Sequence, residues 1–162
     1  MARISHDQPL VASMLDRLID DNPGGGDGPR SETQVLRELK QSLRRDLENL
    51  LNTRQRAVSF PNDLEELEAS LVNYGIPDVI GSGLAGGEAR AEFLRTVEAI
   101  VRQFEPRFRR VEATLLQNAD PLDRTLRFRI NAELDADPAP EPVTFDSALQ
   151  PVTGDVEVKG VR

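Results

Sequence analysis

Apolar and polar side chains alternate without exception from residue 126 to residue 134, and this alternation constrains the fold more than any other feature of the chain. A period of two is typical of a β-strand with one buried and one solvated face. Residues 110–115 follow the same period, and turn-forming residues 118–121 lie between the two segments, so we predict an antiparallel hairpin. Two shorter segments, Val143–Phe145 and Val156–Val158, extend the predicted sheet to three or four strands.

The chain before residue 105 has a helical period instead. Apolar residues recur at steps of three and four over residues 32–53 and again over residues 88–104, and each series predicts an amphipathic helix. A shorter helix is predicted from Asp63 to Asn73, with apolar side chains at Leu64, Leu67, Leu71 and Val72. Helices followed by strands predict an α+β fold, in which three helices pack on one face of a small antiparallel sheet.

A short amphipathic arm is predicted at the N-terminus. Its apolar residues recur at helical spacing, and a Gly- and Pro-rich linker follows at residues 20–29. We therefore divide the chain into residues 1–30, the amphipathic segment with its linker, and residues 31–162, a single α+β domain. The apolar residues of the arm form one stripe, which either folds back onto this domain or docks on a partner. Its members are Leu10, Val11, Met14, Leu15, Leu18 and Ile19.

The composition excludes several classes of function. The chain has no cysteine, and its single histidine, His6, lies in the predicted arm, so we expect no metal site and no cofactor. The net charge of −8 argues against nucleic acid as a partner. No apolar run approaches the ~20 residues that span a bilayer, and no signal peptide is recognisable. We expect a cytoplasmic protein that does not insert into the membrane.

Three segments of the chain together resemble the small baseplate subunit of type VI secretion systems, the TssE family, which is related to a phage tail baseplate wedge family long labelled lysozyme-like. The first is Leu15–Leu18, which includes Arg17. The second is Leu43–Arg54 followed by Leu71–Asp78. The third is Phe104-Glu105-Pro106-Arg107, leading into the alternating strands. The order and the separations of these segments, over about residues 13–134, make the resemblance specific.

The resemblance implies a structural, non-enzymatic role. Members of this family sit in the wedge of a cytoplasmic baseplate, which assembles at the inner membrane through partner proteins. They bind the other wedge proteins and offer a platform for the contractile sheath. No small-molecule substrate is implied. The resemblance also implies that Glu105, Pro106 and Arg107 contact partners, and we extend this expectation to Leu15, Arg17 and Leu18 of the arm.

Two of the predicted contacts have an alternative that the residues themselves leave open. Pro106 fixes a corner between helix and strand, and Arg107 offers a planar fork of donors, either to a partner or to Glu105 in the same chain. A partner contact predicts that Arg107→Glu leaves the melting temperature unchanged, whereas an internal ion pair predicts that it falls. Residues 155–159, which include Val156 and Val158, form either a docking strand at the sheet edge or an ordinary internal strand.

A peptidoglycan-cleaving, lysozyme-like hydrolase is the alternative function. Its chemistry requires two carboxyl groups roughly 5–9 Å apart, and Glu105 with Asp123 or Glu133 is the best available pair. The chain has no Trp and one Tyr, whereas sugar-binding clefts usually stack rings on aromatic side chains. We therefore favour the structural role.

Overall fold

The computed structural model describes residue 18 and residues 32–56, 64–68, 70–78, 84, 86–118, 122–135 and 139–161. In these residues two long helices lie on one face of a four-stranded antiparallel sheet. The strands follow one another in the sheet in chain order, so every connection is to a neighbour. The elements are α1 (Glu32–Asn52), α2 (Gly87–Phe104), β1 (Phe108–Leu115), β2 (Leu126–Leu134), β3 (Glu141–Leu149) and β4 (Val156–Val161).

Each helix packs on the sheet through the apolar stripe that its sequence predicts. In α1, Leu39, Leu43, Leu47, Leu50 and Leu51 are buried, and in α2, Phe93, Val97, Ile100 and Val101. These positions recur every three or four residues, so they share one side of the helix. α1 lies over β4, and α2 lies over β1. The two helices therefore cover opposite margins of the same sheet face.

The prediction of three helices is wrong for the described residues. Where the shorter helix was expected, the chain forms one α-helical turn, Glu65–Glu68, and a 3₁₀ turn, Leu71–Asn73. Ser70 separates the two turns, because its hydroxyl donates to the carbonyl of Leu67 at 2.8 Å and accepts from the amide of Val72 at 3.3 Å. Such local bonds compete with a continuous helix. Leu71 is 81% exposed, so the predicted stripe does not pack on the sheet.

The sheet is antiparallel, and its inner face supplies half of the core. Phe128 and Phe145 are fully buried, and each makes an edge-to-face contact with another ring, Phe93 at 5.7 Å and Phe108 at 6.0 Å between centroids. β3 is longer than predicted and includes Pro142. The missing amide of Pro142 is tolerated because β4 pairs with β3 only from Phe145 onward, so β3 is an edge there.

Residues 53–56, which follow α1, pair with residues 74–76, so the two parts of the second resembling segment lie side by side. Ile76 forms a parallel bridge with Arg54 and is fully buried. Gly75 has φ +109°, and a Cβ atom at this position would lie 2.3 Å from the carbonyl oxygen of Thr53. That oxygen accepts the amide of Ile76 at 2.9 Å. Only glycine combines this backbone conformation with so close an approach.

The predicted arm falls largely outside the described residues. Leu15, Arg17, Ser31 and the linker are among the residues not described, and the proposed division at residue 30 remains a prediction. Leu18 is helical and 79% exposed. In the part of the chain that the structure describes, no helix has both the length and the hydropathy to cross a bilayer.

Candidate protein-interaction site

The tripeptide Glu105-Pro106-Arg107 forms the corner between α2 and β1, and we call it the Glu-Pro-Arg corner. Glu105 caps α2, and its amide donates to the carbonyl of Val101 at 2.9 Å. Its carbonyl accepts the amide of Phe108, where β1 begins, at 3.2 Å. Pro106 is exposed at the tip of the turn. The proline ends the helix because the residue before it is disfavoured in helical geometry, and Glu105 has φ −120° and ψ 80°.

Arg107 joins this corner to α1 through two carboxylates. Its Nε donates to Oε1 of Glu105 at 2.6 Å, and its Nη2 donates to Oε2 of Glu105 at 2.5 Å. The same Nη2 donates to Oδ2 of Asp46 in α1 at 2.6 Å. The side chains of Arg107 and Asp46 are each 24% exposed, and that of Glu105 is 7% exposed. The internal ion pair that the sequence left open is therefore present, and it includes a partner that the sequence did not indicate.

The guanidinium of Arg107 is held in its charged form. Burial by itself disfavours the charge, but the hydrogen bonds that Arg107 donates to Glu105 and Asp46 outweigh it and raise the pKa of Arg107 above its usual value. The third nitrogen, Nη1, is buried and has no hydrogen-bond partner among the described residues. Among the described residues, both N–H donors of Nη1 are therefore unused, beside the ion pairs made by Nε and Nη2.

Tyr74 packs against the same corner from the 74–76 segment. Its ring meets that of Phe104, the last residue of α2, edge to face at 5.2 Å between centroids. Burial, followed by the negative charges of Asp46 and Glu105, raises the pKa of Tyr74 above the ordinary value of 10.0. The segment 71–78 and the Glu-Pro-Arg corner, both parts of the family resemblance, thus lie together around Asp46.

The raised pKa of Tyr74 gives a testable pH dependence. Because Tyr74 is the only tyrosine, the near-ultraviolet absorbance of tyrosinate reports on this site alone. We expect the native chain to ionise at higher pH than the urea-unfolded chain. The unfolded state then releases the proton first, so the native state loses stability as the pH rises above the ordinary pKa. Asp46→Asn should lower the native midpoint. Equal midpoints in native and unfolded chains would contradict this account of the site.

The predicted docking strand, β4, is one of the two edge strands of the sheet. The side chains of Val156 and Val158 are buried in the core. Their main-chain groups face α1: the amide of Val156 donates to Oδ1 of Asn52, and Nδ2 of Asn52 donates to the carbonyl of Val156, both at 2.8 Å. Nη1 of Arg44 donates to the carbonyl of Val158 at 3.1 Å. The edge is thus occupied by side chains of the same chain.

The structure does not bring the candidate hydrolase carboxylates together. Glu105 lies at the start of β1, and Asp123 lies beyond the other end of that strand. Eight residues of extended chain separate the two ends by roughly 24 Å. Glu133 is on the outer sheet face, where it pairs with Arg110 at 3.9 Å, whereas both oxygens of Glu105 bind Arg107. Glu105 and Asp123 are therefore too far apart for glycoside hydrolysis, and Glu133 lies on the sheet face opposite the core.

Sequence reasoning missed Asp46, Asn52 and Tyr74 as parts of these sites. Asp46 and Arg107 are 61 residues apart, and Asn52 and Val156 are 104 residues apart. Asp46 lies between Arg45 and Leu47 in a charged helical pattern, so nothing local distinguishes it from a solvated carboxylate. The segment Leu43–Arg54, quoted for the resemblance, contains both Asp46 and Asn52, and this was the one available signal.

Comparison with known proteins supports the resemblance. The family model described as "Baseplate wedge protein gp25" matches residues 37–139, from α1 to beyond β2 and including the Glu-Pro-Arg corner. A chain of a solved structure, "The baseplate complex from the type VI secretion system", is 16% identical, with 70% of this chain and 96% of that chain covered and a TM-score of 0.47. No curated protein matches. Because the family model covers more than half of the chain, the chain belongs to the baseplate wedge protein gp25 family, a family of structural baseplate subunits.

Proposed function

We propose that the chain is a structural subunit in the wedge of a type VI secretion baseplate, where it binds the other wedge proteins and gives the contractile sheath a platform to assemble on. The observation that carries this proposal is the family match over residues 37–139. In this role the protein acts in the cytoplasm, at the inner membrane through its partners, and without catalysis, cofactor or nucleic acid. The segments quoted for the resemblance favour a secretion apparatus over a phage tail.

The Glu-Pro-Arg corner is suited to be one wedge contact. Pro106 projects to the surface, and the Arg107 side chain is fixed beside it by three charged hydrogen bonds. A surface that is already ordered loses little conformational entropy when a partner binds. In this proposal the ion-pair network does not itself supply the binding energy. It holds the exposed part of the corner in one shape.

Two further surfaces complete the proposal. The arm docks on a partner through its apolar stripe. Leu18, which is helical and exposed, supports this. Sheath subunits use β4, an edge strand, by adding a strand alongside Val156 and Val158. Because Asn52 binds both main-chain groups of Val156, strand addition at this edge requires Asn52 to leave.

An affinity purification from the native host tests the proposed function. We expect the tagged chain to recover wedge and sheath components, identified by mass spectrometry. Leu18→Asp should reduce the recovery of wedge proteins by about tenfold or more, because loss of one apolar anchor at an interface has an effect of that size. Leu122→Asp is the matched control: Leu122 is 86% exposed, against 79% for Leu18, and lies at the opposite end of β1 from the Glu-Pro-Arg corner.

The outcomes separate the parts of the proposal. Recovery of the tagged chain alone, or of cell-wall enzymes, would contradict the baseplate role. Equal losses in Leu18→Asp and Leu122→Asp would contradict the role of the arm while leaving the baseplate role intact.

A further inference from the structure

The 3₁₀ turn Leu71–Asn73 presents a large apolar side chain to the solvent. Leu71 is 81% exposed, and the neighbouring Val72 is 38% exposed. A single exposed leucine is common on protein surfaces, so exposure by itself assigns no role. Leu71 differs from such a residue because hydrogen bonds fix the turn that carries it and because the turn adjoins a surface already proposed to bind partners.

Side-chain hydrogen bonds hold the turn at both of its ends. At the first, the hydroxyl of Ser70 joins the carbonyl of Leu67 to the amide of Val72. At the second, Nδ2 of Asn73 donates to the carbonyl of Leu67 at 3.1 Å, and Nε2 of Gln55 donates to the carbonyl of Asn73 at 3.1 Å. The backbone of the turn is therefore ordered in the free chain, so a side chain on it loses little conformational entropy when a partner buries it.

The turn lies beside the Glu-Pro-Arg corner. The carbonyl of Leu71 accepts the amide of Tyr74 at 3.2 Å, and the ring of Tyr74 packs on that of Phe104, which immediately precedes the corner. Pro106 is exposed at the tip of the same corner. The exposed apolar turn is therefore continuous with the proposed wedge contact.

The sequence around the turn is acidic as well as apolar. Residues 64–73 contain three glutamates and no lysine or arginine, and Glu66 is exposed. Leu64, in the same segment, is 44% exposed. Like charges that face each other across an interface are costly, whereas opposite charges guide association. The surface that complements this segment is therefore an apolar pocket with lysine or arginine at its rim.

We propose that Leu71, with Val72 beside it, is the apolar anchor of the wedge contact at the Glu-Pro-Arg corner, and that the wedge partner receives it in an apolar pocket with a basic rim. This inference rests on the proposed baseplate role, and it adds the chemistry of the partner at this site. The corner then fixes the shape of the surface, and Leu71 supplies apolar area that is buried on binding.

Binding of full-length variants to the purified wedge proteins of the native host tests the inference. Leu71→Asp should weaken binding about tenfold or more in surface plasmon resonance, because a leucine side chain is no longer buried in the complex. Val152→Asp is the matched control, since Val152 is 88% exposed and lies in the turn between β3 and β4. Both variants should melt at the temperature of the unmodified chain, because neither side chain belongs to the core.

Charge and salt test the rim of the pocket separately from its apolar floor. The dissociation constant should rise with NaCl concentration, and Glu66→Lys should weaken binding about threefold or more and reduce that salt dependence. Glu112→Lys is the matched control, since Glu112 is an exposed acid on the outer sheet face in β1. Equal effects of the two lysine variants would contradict a basic rim and overturn the assigned partner chemistry.

The outcomes distinguish this inference from the proposed function. If the unmodified chain does not bind the wedge proteins, the baseplate role is contradicted, and the inference with it. If the unmodified chain binds and Leu71→Asp binds as tightly as Val152→Asp, only the inference is overturned. A melting temperature that falls in Leu71→Asp but not in Val152→Asp would overturn it too, because Leu71 would then be covered by its own chain.

Discussion

The Arg107→Ala variant should lose about 3–5 kcal/mol of unfolding free energy. The substitution leaves the carboxylate of Glu105, which is 7% exposed, without the cation that binds both of its oxygens, and it separates the corner from Asp46 of α1. Breaking one side of a buried ion pair has an effect of this size because the remaining charge is desolvated and uncompensated. Urea unfolding followed by circular dichroism measures the loss. The same geometry predicts that Arg107→Glu lowers the melting temperature, as an internal ion pair requires.

Arg110→Ala is the control for this experiment. Arg110 is in the same strand, but its side chain is 82% exposed and its ion pair with Glu133 spans 3.9 Å. We expect a loss below about 1 kcal/mol there, as for other surface pairs. Glu105→Ala together with Arg107→Ala should be no less stable than Arg107→Ala alone, because the second change removes the uncompensated charge. An unchanged stability in Arg107→Ala would instead show that Arg107 is free to serve a partner.

The Gly75→Ala variant should lose about 3 kcal/mol or more. The new methyl group would lie 2.3 Å from the carbonyl oxygen of Thr53, and a φ of +109° is itself unfavourable for alanine. Relief of the clash requires residues 53–55 and 75–76 to separate. That separation breaks the bridge between Arg54 and Ile76 and withdraws Ile76 from the core. Thermal and urea unfolding measure the effect.

Alanine variants at two other glycines separate the steric clash from the backbone strain in the Gly75→Ala loss. Gly160 has φ +63°, and a Cβ atom at this position would have nothing within 4 Å, so Gly160→Ala should show the backbone strain alone, about 1 kcal/mol. Gly87 is the first residue of α2 and also has open space, so Gly87→Ala should be neutral or stabilise by up to about 1 kcal/mol. A Gly75→Ala variant no worse than Gly160→Ala would contradict the close approach to Thr53.

The elements that the sequence predicts well are those whose signals are local. The apolar stripe from Leu39 to Leu51 determines α1, and the alternation from Leu126 to Leu134 determines β2, because burial of one face selects the period. The stripe from Leu64 to Val72 has the same spacing, yet it forms only two short turns. Ser70 supplies competing hydrogen bonds, and Leu64, Leu71 and Val72 remain exposed. Periodicity does not reveal whether a helix has a place to pack.

The candidate sites were predictable in part. Glu105, Pro106 and Arg107 stand out in the sequence because a proline between two opposite charges marks a rigid corner. The ion pair between Arg107 and Asp46 was not predictable, because it depends on how α1 is placed relative to the end of α2. The buried side chains of Val156 and Val158 follow from alternation. The occupation of the main-chain groups of Val156 by Asn52 does not, because an asparagine near a helix end ordinarily indicates a cap.

The packing of α1 against β4 has a consequence for how the chain reaches its native state. α1 is the first of the two long helices and β4 is the last strand, and Asn52 and Val156 are 104 residues apart. During synthesis the leucine stripe of α1 emerges long before the strand that covers it. Contacts of such long range slow folding, since a large loop must close before they form. The nascent chain therefore carries an uncovered apolar helix, and a chaperone or an early partner that binds this stripe would compete with β4 for it.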